Sequence, residues 1–169
     1  MKLDRSPLVV NVADLRRHPG TRRHEELHGR VPVTMVGASV AADDDVGVTV
    51  ILEAVSEGVL ATGVVASTWR AECRRCLRPV AGEVEAEFCE LFERHAREGE
   101  TYPLVHDQVD LEPLAREALL LELPLTALCR IDCPGICPVC GADLSEGACG
   151  CDVVVRDPRW SALDDLRLD

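Results

Sequence analysis

The sequence predicts an α+β fold: an antiparallel sheet, open or barrel-like, covered by one amphipathic helix and carrying a small cysteine-rich lobe near the carboxyl end. Three observations support this. Residues 46–73 are dense in β-branched side chains and are divided by Ser56-Glu57-Gly58, the composition of a hairpin turn. Apolar residues at 111, 114, 115, 118, 119 and 121 recur with a helical period. Six of the nine cysteines crowd into residues 129–151. A chain of 169 residues, 47% hydrophobic, can form one ordinary core and an appended lobe. The divisions follow as a β-rich body at 1–128, the lobe at 129–151 and a tail at 152–169.

In chain order, Leu8–Val12 is Val-rich and reads as a first short strand. Asp14 is placed to cap a helical turn through Leu15 and Arg17 that ends at Pro19-Gly20. The polar, basic stretch 21–30 reads as a loop or exposed helix. On a helix His24 and His28 would share one face, but nothing beside them completes a ligand set and they read as solvated. Val31–Val40 is extended, and residues 41–45 form a solvated turn whose three aspartates lack the alternating ligands of a calcium loop. The hairpin follows, with Val59, Ala61, Val65 and Trp69 on one face of its second arm, which ends at Cys73.

Val80–Phe92 is extended again, Val84, Ala86 and Phe88 alternating with Glu83, Glu85 and Glu87. Cys89 in this run reads as a small buried hydrophobe. Residues 93–109 are charged, contain Gly99 and Pro103, and read as a loop. Asp110 is the expected cap of a helix over Leu111–Glu122, with Pro113 in its first turn and Pro124 at its end. In the tail a short strand precedes a final helical turn that sets Trp160, Leu163 and Leu166 on one face.

The cysteines carry the chemistry. Cys137-Pro-Val-Cys140-Gly141 is a knuckle that brings two sulfurs close, and Gly141 tolerates the positive φ such turns need. In Cys149-Gly150-Cys151 an extended backbone would point the thiols apart, and Gly150 lets both face inward. A second knuckle, Cys73-Arg-Arg-Cys76, sits at a hairpin tip and needs two further thiolates to close a tetrahedral zinc site; Cys129 and Cys133 are the unassigned ones. Two zinc ions are therefore expected, one held by Cys73, Cys76, Cys129 and Cys133, the other by Cys137, Cys140, Cys149 and Cys151. A single zinc with some thiols idle is the alternative. The charged start Met1–Arg5 and the absence of any apolar run of 18 residues point to a cytoplasmic protein without membrane contact. In that reducing setting nine cysteines suit thiolate ligation better than disulfides.

A net charge of −12 argues against a general grip on nucleic acid, which needs Lys and Arg to neutralise phosphates. Basic residues are concentrated at Arg16, Arg17, Arg22, Arg23 and Arg30, and around the first knuckle at Arg70, Arg74, Arg75 and Arg78. Arg74, Arg75 and Arg78 are the candidate RNA or partner contacts, set on a rigid turn that can aim their forks at phosphates; internal salt bridges are the alternative use. No small-molecule substrate is evident. There is no Gly-rich phosphate loop and no nucleophile with a base partner. Four thiolates on a zinc leave no position for a reactive water.

The segments CRRCLRPV, DLEPLAREALLLELPL, CRIDCPGICPVCGADL and DPRWSALDDL, in this order, resemble the bacterial YceD family over about two-thirds of the chain. The resemblance implies a cytosolic role in accumulation of 23S ribosomal RNA, and so in building or protecting the large ribosomal subunit. No catalytic residue comes with it. The reading that follows is a non-enzymatic factor that binds precursor large-subunit rRNA or a ribosomal protein, with zinc as a structural staple. One alternative is an acidic protein-interaction module, its face around Glu83–Glu122 docking on a basic partner without RNA contact. The other is a thiol redox or metal-sensing protein. Redox CxxC pairs, however, sit at helix starts in βαβ units, and these sit in hairpin and loop context.

Overall fold

The computed structural model describes residues 6–151 and Arg159, so the tail strand and the turn bearing Trp160, Leu163 and Leu166 lie outside the described residues. The elements are β1 (Val9–Asn11), α1 (Ala13–Arg16), β2 (Arg22–Gly29), β3 (Val33–Met35), β4 (Ala38–Val40), β5 (Val46–Ala54), β6 (Gly58–Glu72), β7 (Pro79–Glu93), β8 (Tyr102–Pro103), β9 (Gln108–Asp110) and α2 (Glu112–Glu122).

The 15-residue β6 is the spine. One of its sides pairs with β7 along its whole length, from Gly58↔Glu93 to Glu72↔Pro79. Its other side takes β5 along residues 59–66 and β4 at residues 70–71. Outside β5 lies β2, and outside β4 lies β3. All these pairings are antiparallel; only the two-residue β8 runs parallel, against the end of β7. β1 and β9 form a separate two-stranded ribbon.

The sheet does not close, which corrects the barrel-like form of the expectation. α2 packs against β7, β6 and β3 and so stands between the two edges a barrel would have to join. The guanidinium of Arg116 on this helix donates to the carbonyl of Pro32, 2.5 Å away and just ahead of β3. The helix buries Leu114, Ala115, Ala118 and Leu119 on the sheet, as its period requires. With them, Val46, Val50, Leu52, Val59 and Phe92, each 0% exposed, form the main core.

Several local expectations need correction. Residues 22–29, read as loop or exposed helix, are a strand: the sequence is polar because the strand lies at the sheet edge, where pairs such as Arg22 with Glu53 (2.9 Å) sit across β5. His24 and His28 are consequently about 13 Å apart along a strand and do not share a helical turn; His28 meets Asp45 at 2.7 Å. Val31–Val40 folds back on itself at Gly37 to give β3 and β4. The first helix is entered through Val12 with no side-chain cap: Asp14 lies inside its first turn, and Asn11, just ahead, accepts the Ala13 N–H on its side-chain oxygen at 3.0 Å. Residues 93–109, read as a loop, contain β8 and the first two residues of β9. α2 begins at Glu112, whose N–H donates to Asp110 at 3.0 Å. Cys89 is exposed, because it falls on the same parity as Glu83, Glu85 and Glu87.

Candidate metal centres

β6 and β7 extend past the main core, and their connecting tip carries the first knuckle. The N–H of Cys73 donates to the Arg78 carbonyl and the N–H of Leu77 to that of Cys73, both at 2.8 Å, which folds residues 73–78 into a tight turn with Leu77 at φ 61°. The chain after α2 runs back across this tip. Arg74 donates its backbone N–H to Ala127, and Ile136 donates its own to Arg75. That crossing brings Cys129 and Cys133 to Cys73 and Cys76. Cys73 and Cys133 sulfurs are 3.8 Å apart, those of Cys76 and Cys129 3.6 Å, and all four lie within 4.8 Å of one another. A tetrahedron with bonds of about 2.3 Å has edges of about 3.8 Å, so the spacing suits one shared ion. A disulfide needs about 2.05 Å.

The second tetrad, Cys137, Cys140, Cys149 and Cys151, also lies within 4.8 Å. Here the N–H of Gly141 donates to Cys137 O at 2.9 Å and the N–H of Val139 points at Cys137 Sγ at 3.4 Å. Gly141 and Gly150 take φ of 74° and 70°, the left-handed conformations their positions in the sequence suggested. The tetrads differ in burial. Three sulfur-bearing residues of the first are buried and form, with Val80 and Leu128, a small second core; in the second tetrad only Cys137 is buried.

Each tetrad contains thiols driven in opposite directions. The backbone N–H groups of Cys129 and Cys76 hold Cys73 down to about 6, and those of Cys140 and Val139 do the same for Cys137. Hydrogen bonding to the Cys133 sulfur, then burial, pushes Cys129 up to about 12; the sulfurs of Cys140 and Cys149 push Cys151 to about 12. Crowded thiols that resist losing their last protons are what a cation would relieve. Both sets can hold a metal ion.

The three candidate arginines have different surroundings. Arg75 braces the tetrad, its guanidinium donating to the carbonyls of Cys133 (2.9 Å) and Ile131 (3.3 Å). Arg78 ties the two tetrads together through Asp143 (2.7 Å) and Glu146 (3.2 Å). Neither acid drew notice in the sequence, because a partner 65 or more residues away leaves no local pattern. Arg74 reaches only the Leu125 carbonyl, at 3.4 Å, and pairs with no carboxylate among the described residues. It lines an open groove with Arg70, Leu77, Thr34 and Met35. Arg70 itself is locked onto Asp44 by two bonds of 2.5 and 2.7 Å. Four of the five early arginines are likewise paired, Arg16 with Asp107, Arg17 with Asp14, Arg22 with Glu53 and Arg23 with Glu25, whereas Arg30 meets no carboxylate among the described residues.

Comparison with known proteins follows the same outline. An uncharacterized protein of Mycobacterium tuberculosis is 38% identical over 172 residues, covering 95% of this chain and 82% of the relative. One of Mycobacterium leprae is 32% identical and covers 95% and 78%. The Large ribosomal RNA subunit accumulation protein YCED homolog 1, chloroplastic, of Arabidopsis thaliana is 32% identical over 66 residues, 39% of this chain and 21% of that protein. No solved structure matches. The model of the family described as large ribosomal RNA subunit accumulation protein YceD matches residues 61–167, a span that holds most of the β6–β7 ribbon, α2 and all eight cysteines of the two tetrads, and the chain therefore belongs to the YceD family.

Proposed function

We propose that this protein is a non-enzymatic factor that supports accumulation of 23S rRNA, and so assembly of the large ribosomal subunit, by binding precursor rRNA or a ribosomal protein in the cytoplasm. The family's description supplies the pathway. The mode of action is read from the tetrads: four converging thiolates would occupy all four positions of a zinc ion, giving a cross-link and no site for a reacting water. Of two zinc ions, one per tetrad, the first would fix the ribbon tip to Cys129 and Cys133 and the second would close residues 137–151 on themselves. Closed tetrads also argue against a redox role, which needs an accessible dithiol free of metal.

The arginine pairing favours a protein partner over naked RNA. Most of the basic side chains that might have met phosphates are engaged within the chain, whereas Glu83, Glu85, Glu87 and Glu90 enter no ion pair among the described residues. An acidic surface of this kind speeds encounter with a basic protein. The deciding experiment is depletion of the protein in its own cells with measurement of the 23S to 16S rRNA ratio and of co-sedimentation with immature large-subunit particles. A falling ratio restored by the wild-type chain but not by Cys73→Ser supports the reading. An unchanged ratio overturns it. Binding of the purified protein to rRNA fragments and to isolated basic ribosomal proteins, with Arg74→Glu as the comparison, then separates the two partner classes.

A further inference from the structure

β7 is an edge strand over most of its length. β6 covers one side throughout, whereas on the other side β8 covers only Phe92 and Glu93. The register with β6 is continuous and without a bulge, so backbone groups alternate strictly between the two sides. Glu93, whose carbonyl accepts from Leu104 N–H, faces away from β6. By alternation Leu91, Cys89, Glu87 and Glu85 face the same way, and among the described residues no backbone partner meets them. Further along, the indole of Trp69 crosses over Gly82 and donates to the Glu83 carbonyl at 3.1 Å. A Cβ at Gly82 would come within 2.9 Å of that ring. One end of the edge is thus closed by Trp69 and the other by β8, leaving a gap of roughly 20 Å at about 3.3 Å per residue.

Beside this gap runs a groove of about 290 Å³ between β7 residues 87–90, the 99–102 segment and α2. Its helix wall carries Leu121, 79% exposed, and Glu117. We propose that this edge is a docking site for an extended basic segment of a partner protein, which adds to β7 as a strand in the column that β8 begins. Its main chain would pair with residues 85–91. Its basic side chains would meet Glu85 and Glu87 on the outer face, and its apolar ones, on the opposite face, would lie along Leu121 in the groove. Charge selects this occupant. The chain's own residues 152–169 carry five aspartates against three arginines, and a second copy paired edge to edge would set glutamates against glutamates. The inference rests on the protein-partner arm of the proposed function, but its test needs no ribosome, so the two can fail separately.

The test uses the full, zinc-loaded chain and three labelled ten-residue peptides followed by fluorescence anisotropy: alternating Lys and Val, the same with alternate backbone nitrogens methylated, and alternating Glu and Val. The Lys peptide is expected to bind, the Glu peptide not to, and the methylated Lys peptide to bind at least roughly tenfold more weakly, a loss of ~1.4 kcal/mol. Glu85→Lys with Glu87→Lys should weaken the Lys peptide by a similar factor, while the methylated peptide gives its answer without altering the protein. Equal binding of methylated and unmethylated peptides would mean charge attraction without strand addition and overturns the proposal. Absence of Lys-peptide binding does so too. So does slow hydrogen exchange at the amides of Glu85, Glu87 and Cys89 in the free protein, which would place residues 152–169 or a second copy on the edge.

Discussion

Asp44 shows how much one residue can fix. It looked like one of three solvated aspartates, yet it is 9% exposed, accepts the N–H of Ala41 at 3.0 Å and holds Arg70 in a two-bond fork. The Arg70 hydrogen bonds, with that of Ala41, keep its carboxyl below the usual carboxylate range. A group whose pKa is depressed on folding contributes stability that is present above its unfolded value and lost as pH falls through its folded value. Asp44→Asn should therefore lower the urea midpoint at pH 7, and the gap from wild type should narrow as pH falls below about 4. A gap independent of pH would contradict this assignment. The thiols give a second pH prediction. With Cys129 and Cys151 at about 12, each tetrad enters neutral solution with at least one proton to lose. Zinc binding at pH 7 should release at least one proton per ion, and affinity should fall further as pH drops through about 6, where Cys73 and Cys137 also become protonated. An indicator-dye titration of the metal-free protein reads both effects.

Among the elements, α2 carries the tertiary arrangement, since it occupies the place where the sheet would otherwise have to close. Leu119 on its inner face is 0% exposed. Leu119→Ala should cost about 2–5 kcal/mol by urea denaturation, because a cavity would open against a sheet that cannot collapse onto it. The exposed Leu121, two residues further along and on the opposite side of the helix, should tolerate Ala within about 0.5 kcal/mol. The period of α2 was legible because packing and sequence agree at residues 111, 114, 115, 118 and 119; only Leu121 of the expected apolar set turns outward. β2 was not, because its strand character comes from its partner β5: Arg22 and Glu53 stand 31 residues apart, and a polar edge strand has no local pattern to distinguish it from a loop.

Across the whole molecule, the main core and the small core around Cys73, Cys76 and Cys133 are distinct clusters. Metal should therefore be a local staple. Chelation is expected to raise hydrogen exchange at residues 73–78 and 129–151 while leaving the amides of β5 and β6 protected at residues 48–65. Global loss of protection would show that the sheet depends on the metal. Native mass spectrometry should find two ions in the wild type and one in Cys149→Ser, with the remaining ion in the more buried first tetrad.

The amino-acid sequence by itself determined the long hairpin, the amphipathic helix and the two CxxC knuckles, because each rests on a short-range rule: β-branched runs, a helical period, and the spacing of sulfurs with glycines beside them. The joining of Cys73 and Cys76 to Cys129 and Cys133 was reached only by elimination, and tertiary structure brings those four together. Tertiary structure alone decided that the sheet stays open around α2, that Arg75 and Arg78 face inward to brace the lobe while Arg74 does not, and that β7 keeps an unpaired edge. Those outcomes depend on residues brought together from distant parts of the chain, and such pairings follow from the packing of whole elements, which no local pattern records.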